Sequence, residues 1–381
     1  MRPPDGPGLL MVGFEGKSLP PRLARQIRGW ALGGVVLFSR NVETPRQVRD
    51  LCREIRAAAG GGQPAPLIAI DQEGGRVMRL TAPGFTRFPP ARCYSLFRSR
   101  SSRVAGAAGE AMAEELRAVG VDINFAPVLD VDSNPENPVI GDRALSSDPE
   151  SVAELGIAFS RGMLSRGVLP VGKHFPGHGN TASDSHGELP VVRSSRAMLL
   201  KRDVSPFRRA IQAGIPALMT AHVLYPALDR EFPATLSEKI LGGLLRKQLR
   251  FRGAVFSDAL EMKAITGTLG IGDAAVRAVS AGCDVVLVCA GEKAREEAGE
   301  AIARAWTDDG DFRRAARASI RRVERLREFL SQGGAPRPAR RASLRQVGTR
   351  RHRELSRLLF ARWESSGQAS RAGRSGNIGE G

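Results

Sequence analysis

The stretch VLPVGKHFPGHGNTASDSHGELP, residues 168–190, changes character at its sixth residue. VLPVG is a short apolar run of the kind a strand buried on both faces requires. From there the chain turns ionisable, with Lys173, His174, His178, Asp184 and His186 in close succession. The same switch recurs along the sequence. GLLMVGF (8–14), GVVLF (34–38), PLIAID (66–71), VDINFAP (121–127), IPALMT (215–220), GAVFSD (253–258) and CDVVLV (283–288) are equally short and rich in Val, Ile and Leu. Asp71 closes the third run, Asp130 and Asp132 follow the fourth, His222 follows the sixth and Asp258 closes the seventh. Amphipathic stretches long enough for helices lie between most of them: 44–58, 103–119, 149–166, 196–213, 237–249 and 272–281. Thr44 before Pro45, and Ser237 three residues before Ile240, supply helix starts. Eight buried strands with helical crossovers predict an α/β fold, the (β/α)8 TIM barrel. The rival is a doubly wound open sheet, but no GxGxxG follows the first strand. An open sheet would also spread the polar strand ends along a line, whereas a barrel gathers them at one mouth.

The composition sets the outer bounds. The chain has 381 residues, 42% hydrophobic and 25% charged, as in ordinary globular proteins. No apolar run approaches the roughly 18–20 residues that span a bilayer, so no membrane partner is expected. The N-terminal run reads as a first strand rather than a signal peptide. Cys52, Cys93, Cys283 and Cys289 are scattered with no CxxC pair, which predicts reduced core thiols and a cytoplasmic location. The net charge is +17, yet eleven arginines against three glutamates in 335–381 supply +8 of it. The expectation is a catalytic barrel over 1–334 and a basic, disordered tail over 335–381, with one short helix near Arg351–Trp363. Nucleic-acid binding by the body is not expected; contact of the tail with a polyanion is the alternative to a merely solvated extension. A monomer is expected.

Three of the five histidines fall between Lys173 and Pro190. His174 and His178 are spaced like two metal ligands on one helix face, and Asp184 with His186 could complete a loop-borne site. Pro176 and Gly177 between them break that helix. A catalytic loop explains more. Asp184 stands two residues from His186, and a carboxylate there fixes the imidazole tautomer and stabilises the imidazolium for acid/base work. Asp258, at the end of an apolar strand, is a second carboxylate held at the same mouth. A group that can give a proton, facing a carboxylate that can attack carbon, is what glycosyl transfer through a covalent intermediate needs. Neither a metal nor another cofactor is expected.

KHFPGHGNTASDSH closely resembles the signature KH-(F/I)-PG-x-G-x4-D-S-H of the bacterial β-N-acetylhexosaminidases of glycoside hydrolase family 3. IDQEGGRVMRL (70–80), NFAPVLDVDSNPENPVIGDRA (124–144), ALMTAHVLYPALD (217–229) and FSDALEM (256–262) resemble further family segments, in the family's order, from about Gly8 to Arg327. The resemblance implies Asp258 as nucleophile, His186 as general acid/base and Asp184 as its partner. It places Asp71, Arg79, Arg143, Lys173 and His174 among sugar-binding positions. His222 either lines the pocket or simply packs in it, and is counted with the substrate-binding set; His178 is expected to support the loop. The implied reaction removes terminal β-linked N-acetylglucosamine with retention, and the single-domain form of the family does so from muropeptide fragments in peptidoglycan recycling. Two departures stand out: Ala144-Leu145 replaces a Phe-Gly pair, and Ala259 stands where many members carry a second Asp.

Other functions fit the same residues less fully. A phosphorylase could use the scaffold, because a histidine acid/base does not repel phosphate as a carboxylate would. A metal-dependent hydrolase would need the histidine cluster as ligands. A sugar- or nucleic-acid-binding protein without catalysis would have little use for Asp184, His186 and Asp258 together.

Overall fold

Eight parallel strands close into a barrel in a computed structural model of the chain. They are β1 (Leu10–Val12), β2 (Gly34–Leu37), β3 (Leu67–Ile70), β4 (Ile123–Asn124), β5 (Leu169–Phe175), β6 (Ala217–Thr220), β7 (Ala254–Ala259) and β8 (Val285–Val288). Each pairs with its sequence neighbours, and β8 returns to β1 through Leu10 opposite Val286. The structure describes residues 8–30, 32–60, 64–185, 187–332 and 343–368. His186, the expected acid/base, lies outside them, as do 335–342 and 369–381 of the expected tail.

The apolar runs are continuous because both strand faces are buried. Alternate residues such as Val36, Ala69, Ile123, Val171, Met219, Phe256 and Leu287 point into the barrel and pack with one another. Their neighbours Val35, Ile68, Ile70, Leu218, Val255 and Val286 pack outward under the helices. The period of two that marks a half-exposed strand is therefore absent. The helix Gly310–Ser331 sends Val323 and Leu326 against the interior cluster, and Arg327 Nη2 donates to Gly33 O at 3.0 Å, so its C-terminal half stoppers the end where the strands begin. The opposite end stays open.

Most helices begin where their caps predict. Thr44 Oγ1 accepts the Gln47 N–H at 3.1 Å to start Pro45–Ala57, and Asp148 accepts from Ser151 to start Pro149–Ser165. Ser237 Oγ accepts from Ile240, although the turns that follow, Lys239–Gln248, are π-helical. The single helix expected over 196–213 is three pieces, Arg196–Met198, the π-helical Leu199–Asp203 and Ser205–Gln212. Pro206 has no N–H to continue a preceding helix, so a new one starts there.

The expected tail is folded over 343–368. The helix Arg350–Ser365 seats Leu359 and Trp363 on the barrel's outer layer, where they join the main core cluster. His352 is 1% exposed and bridges Glu115 (Nδ1, 3.0 Å) and Glu114 (Nε2, 2.8 Å) on the helix Ser101–Val119. Ser356 Oγ donates to Arg87 O at 2.6 Å, and Cys93 Sγ donates to Leu359 O at 3.2 Å. A free basic extension does not describe this segment: every fourth residue or so of an otherwise arginine-rich helix is apolar or polar in the right place to dock.

Candidate active site

The open end of the barrel holds a cavity of about 350 Å3, at the small end of the roughly 300–1,000 Å3 usual for small-molecule sites. Asp71, Arg79, Arg143, Lys173, His174 and Asp258 all line it. Barrel topology brings them together from β5, β7 and the segments that follow β3 and β4.

Arg79 reaches the mouth on a short antiparallel hairpin, Gln72–Gly74 with Val77–Met78, that follows β3. Asn124 anchors this hairpin to β4: its Oδ1 accepts the Gln72 N–H and its Nδ2 donates to Gln72 O, both at 2.9 Å. Gln72 Oε1 in turn accepts the N–H groups of Arg79 and Leu80. Gly74 has φ +105°, and a Cβ there would lie 2.5 Å from Pro89 O, so the hairpin bend requires glycine.

Glu73 on that hairpin is buried and ties the wall together. Its two oxygens take the Arg143 guanidinium side-on, Nε to Oε2 at 2.9 Å and Nη2 to Oε1 at 2.8 Å. Lys173 Nζ lies 2.6 Å from Glu73 Oε1 and 2.6 Å from Asp71 Oδ1. Burial would raise the Glu73 carboxyl, but Arg143 and Lys173 outweigh it and hold it well below the usual carboxylate range. Lys173 is held above its ordinary value: burial would lower it, and Asp71 with Glu73 reverses that.

His174 is fixed by Asp130, which is wholly buried. Asp130 Oδ2 lies 2.7 Å from His174 Nδ1, while Oδ1 accepts the N–H groups of His174 and His178 at 3.1 and 2.7 Å. This leaves His174 Nε2 as the ring's other polar atom at the cavity. His178 serves the loop: Nδ1 meets Thr181 Oγ1 at 3.0 Å and Nε2 meets Ser185 Oγ at 3.3 Å, and burial pushes its pKa down to about 4. Gly179 lets that loop cross the chain after β4, since a Cβ there would sit 1.7 Å from Val131 O.

Asp258 ends β7 with its Oδ1 accepting the Ala259 N–H at 2.8 Å, which leaves Oδ2 for chemistry. Burial alone would raise this carboxyl; His222, His174, the Ala259 N–H and Lys173 together hold it below the ordinary carboxylate range. Glu261, three residues on, shows the contrary shift. Its Oε1 accepts the N–H groups of Cys289 and Ala290, both at 2.7 Å, yet burial, with the Asp258 charge adding to it, pushes its pKa up to about 7.

One expected substrate-binding residue is displaced. His222 is 1% exposed and outside the cavity lining, with Nδ1 2.7 Å from Thr235 Oγ1 and Nε2 2.9 Å from Ala259 O. Through Ala259 O it meets the end of β7 next to Asp258, and its charge acts on that carboxylate. Asp184 lies on the loop after β5, close enough for its charge to act on Arg76. Sequence reasoning passed over Glu73 and Glu261, although both stand inside stretches it quoted. A carboxylate two residues from Asp71, among so many basic strand ends, was the available signal for the first. Among the described residues no group of three or more His, Cys, Asp or Glu side chains is placed to hold a metal ion.

Residues 9–326 match the profile of the glycosyl hydrolase family 3 N terminal domain. A β-hexosaminidase of Thiobacillus denitrificans is 43% identical over 321 residues, covering 83% of this chain and 86% of the relative. Among solved structures, a glycoside hydrolase family 3 β-N-acetylglucosaminidase from Paenibacillus superposes with a TM-score of 0.86 at 36% identity, over 94% of this chain and 68% of that one. NagZ from Neisseria gonorrhoeae, solved with N-trifluoroacetyl-D-glucosamine, gives 0.71 at 34% identity over 86% and 98%. Barrel, strand-end site and matched span agree, and the chain belongs to glycosyl hydrolase family 3.

Proposed function

We propose that the protein is a retaining β-N-acetylhexosaminidase that removes terminal β-linked N-acetylglucosamine by double displacement, with Asp258 as nucleophile and Asp184 with His186 as the acid/base pair. The observation that carries the reading is Asp258 itself. It is a carboxylate kept ionised on a rigid strand end, facing a cavity in which Arg143 and Lys173 are already paired with Glu73 and Asp71. Attack by Asp258 Oδ2 on the anomeric carbon breaks the glycosidic bond as His186 protonates the departing oxygen. The same imidazole then takes a proton from water, which attacks the anomeric carbon and frees Asp258. Lys173, Asp71, Arg143 and His174 hold the ring by charge-assisted hydrogen bonds, and their mutual ion pairs fix them before substrate arrives.

Muropeptide fragments are the natural substrates this reading favours, and the cytoplasm its setting; the four cysteines, all buried thiols, suit a reducing compartment. The test is hydrolysis of paired aryl β-N-acetylglucosaminide and β-glucoside with the anomer of the first product recorded, with and without phosphate. Preference for the first substrate with a β-configured free sugar supports the proposal. An α first product, or sugar 1-phosphate formed only with phosphate, removes it.

A further inference from the structure

The hairpin that carries Glu73 and leads to Arg79 is held from two sides. On its inner side Asn124 fixes Gln72 to β4. On its outer side it leans on residues 81–90, a stretch with neither helix nor strand. The Gly75 N–H donates to Phe88 O at 2.9 Å, and a Cβ on Gly75 would lie 2.7 Å from Pro90 Cγ, so hairpin and backing are in close contact. A stretch without a backbone ladder takes its position from the partners its polar groups find elsewhere.

Those partners are one carboxylate and the C-terminal segment. Glu115, 3% exposed on the helix Ser101–Val119, accepts the Thr86 N–H on Oε2 at 3.0 Å and the Thr86 hydroxyl on Oε1 at 2.6 Å. Its Oε1 also accepts the Gly348 N–H at 2.9 Å and meets His352 Nδ1 at 3.0 Å. Beside it Ser356 Oγ donates to Arg87 O, and Gly348 packs so closely that a Cβ there would lie 2.2 Å from Gly84 O. Residues 343–368 thus bear on the backing of the hairpin, although they lie beyond the family match at 9–326. Thr86, Glu115 and Ser356 do not line the cavity themselves. Whatever they do for the site passes through the hairpin, and so through Glu73, which holds Arg143 and Lys173, and through Arg79.

We propose that Thr86 and Glu115 are positioning residues that carry the hold of the C-terminal segment to the sugar-binding hairpin, so that residues 343–368 serve substrate binding as an outer clamp. This rests on the hydrolase reading above and extends it to a segment away from the cavity. Asp258 stands on β7, across the cavity from the hairpin's own anchors. Loosening the clamp therefore weakens capture of the sugar and leaves the attacking carboxylate in place.

The test uses the full chain with an aryl β-N-acetylglucosaminide as substrate and N-acetylglucosamine as competitive inhibitor, assayed well below each variant's melting temperature. Thr86→Val keeps the shape of the side chain and loses its hydroxyl, Ser356→Ala frees Arg87 O, and Thr86→Ser restores the hydroxyl alone. In the double variant Thr86→Val, Ser356→Ala, KM and the inhibition constant should both rise about three- to tenfold while kcat stays within about twofold. Thr86→Ser should stay within about twofold of wild type in all three. Asp284→Ala, which breaks a buried ion pair at the other end of the barrel, controls for loss of stability as such. Unchanged KM and inhibition constant in the double variant overturn the proposal. So does a loss confined to kcat, an equal weakening in Asp284→Ala, or a Thr86→Ser no better than Thr86→Val. If the wild type neither cleaves the substrate nor binds N-acetylglucosamine, the hydrolase reading falls and takes the clamp with it; a wild type that does both, beside unaltered variants, removes the clamp alone.

Discussion

Asp258 and Glu261 stand three residues apart with carboxyls displaced in opposite directions, and the cause is local. Asp258 has histidine and lysine charges around it, whereas Glu261 has backbone amides on one oxygen and buried surface on the rest. An attacking carboxylate must be ionised, and Asp258 stays so until the pH falls through its lowered value. The acid limb of kcat/KM, where it reports Asp258, should therefore lie below the about 4 of an ordinary carboxylate. Asp258→Ala should lower turnover at least about a thousandfold while the melting temperature stays within a few degrees, because the change removes a reacting atom and no ion pair. A fluorosugar trap should label the same residue in the wild type. Retention of several per cent of the activity, or a label elsewhere, would take the nucleophile role from Asp258. At this scale the sequence told a good deal. Residues at strand ends were legible because barrel topology alone sends them to one mouth. Glu73, the partner of Asp130 and the contacts of His222 were not, since each is defined by a residue elsewhere in the chain: Arg143, His174 and Thr235.

Strands were the legible elements because burial on both faces writes an unbroken apolar run. Helices that cover only one side of the barrel leave a weaker trace; the short helix expected near Arg351–Trp363 is there as Arg350–Ser365, but its docking was hidden amid its arginines. What docks it is a histidine between two glutamates. Burial would lower the His352 pKa, but the hydrogen bonds and charges of Glu114 and Glu115 prevail and push it up to about 9. Glu114 is correspondingly held down, with Arg166 and Arg351 also nearby. A group whose folded value lies above its unfolded one lends its full stabilisation below the unfolded value. That stabilisation is lost as pH rises from about 6.5 through about 9. The gap in unfolding free energy between wild type and His352→Ala should be on the order of 2–3 kcal/mol at pH 6 and should narrow markedly by pH 9.5, read from urea melts at both. A gap that stayed constant with pH would mean that His352 contributes packing and no charge.

The whole molecule divides along the barrel axis. Its open end gathers groups whose charges are arranged for a ligand, and its closed end gathers groups that only hold the strands together. Asp284, at the start of β8 and fully buried, is the centre of the closed end. Its Oδ1 accepts from Arg322 Nε at 2.8 Å; its Oδ2 accepts from Arg246 Nη2 at 2.7 Å and from the Val255 N–H at 2.8 Å. One carboxylate thus links β7, β8, the stoppering helix Gly310–Ser331 and the Lys239–Gln248 turns. Asp284→Ala would leave two arginines facing each other in low dielectric with no counter-charge, a loss of about 3–5 kcal/mol for a broken buried pair. No atom of this network belongs to the cavity lining. The variant should therefore melt much earlier than the wild type yet keep kcat and KM within about twofold per folded molecule, assayed well below its transition. Asp258→Ala should do the reverse, and the two substitutions lie at opposite ends of neighbouring strands. If Asp284→Ala instead lost activity in step with stability, the closed end would be coupled to the mouth through β7, and the separation of scaffold from site in this barrel would fail.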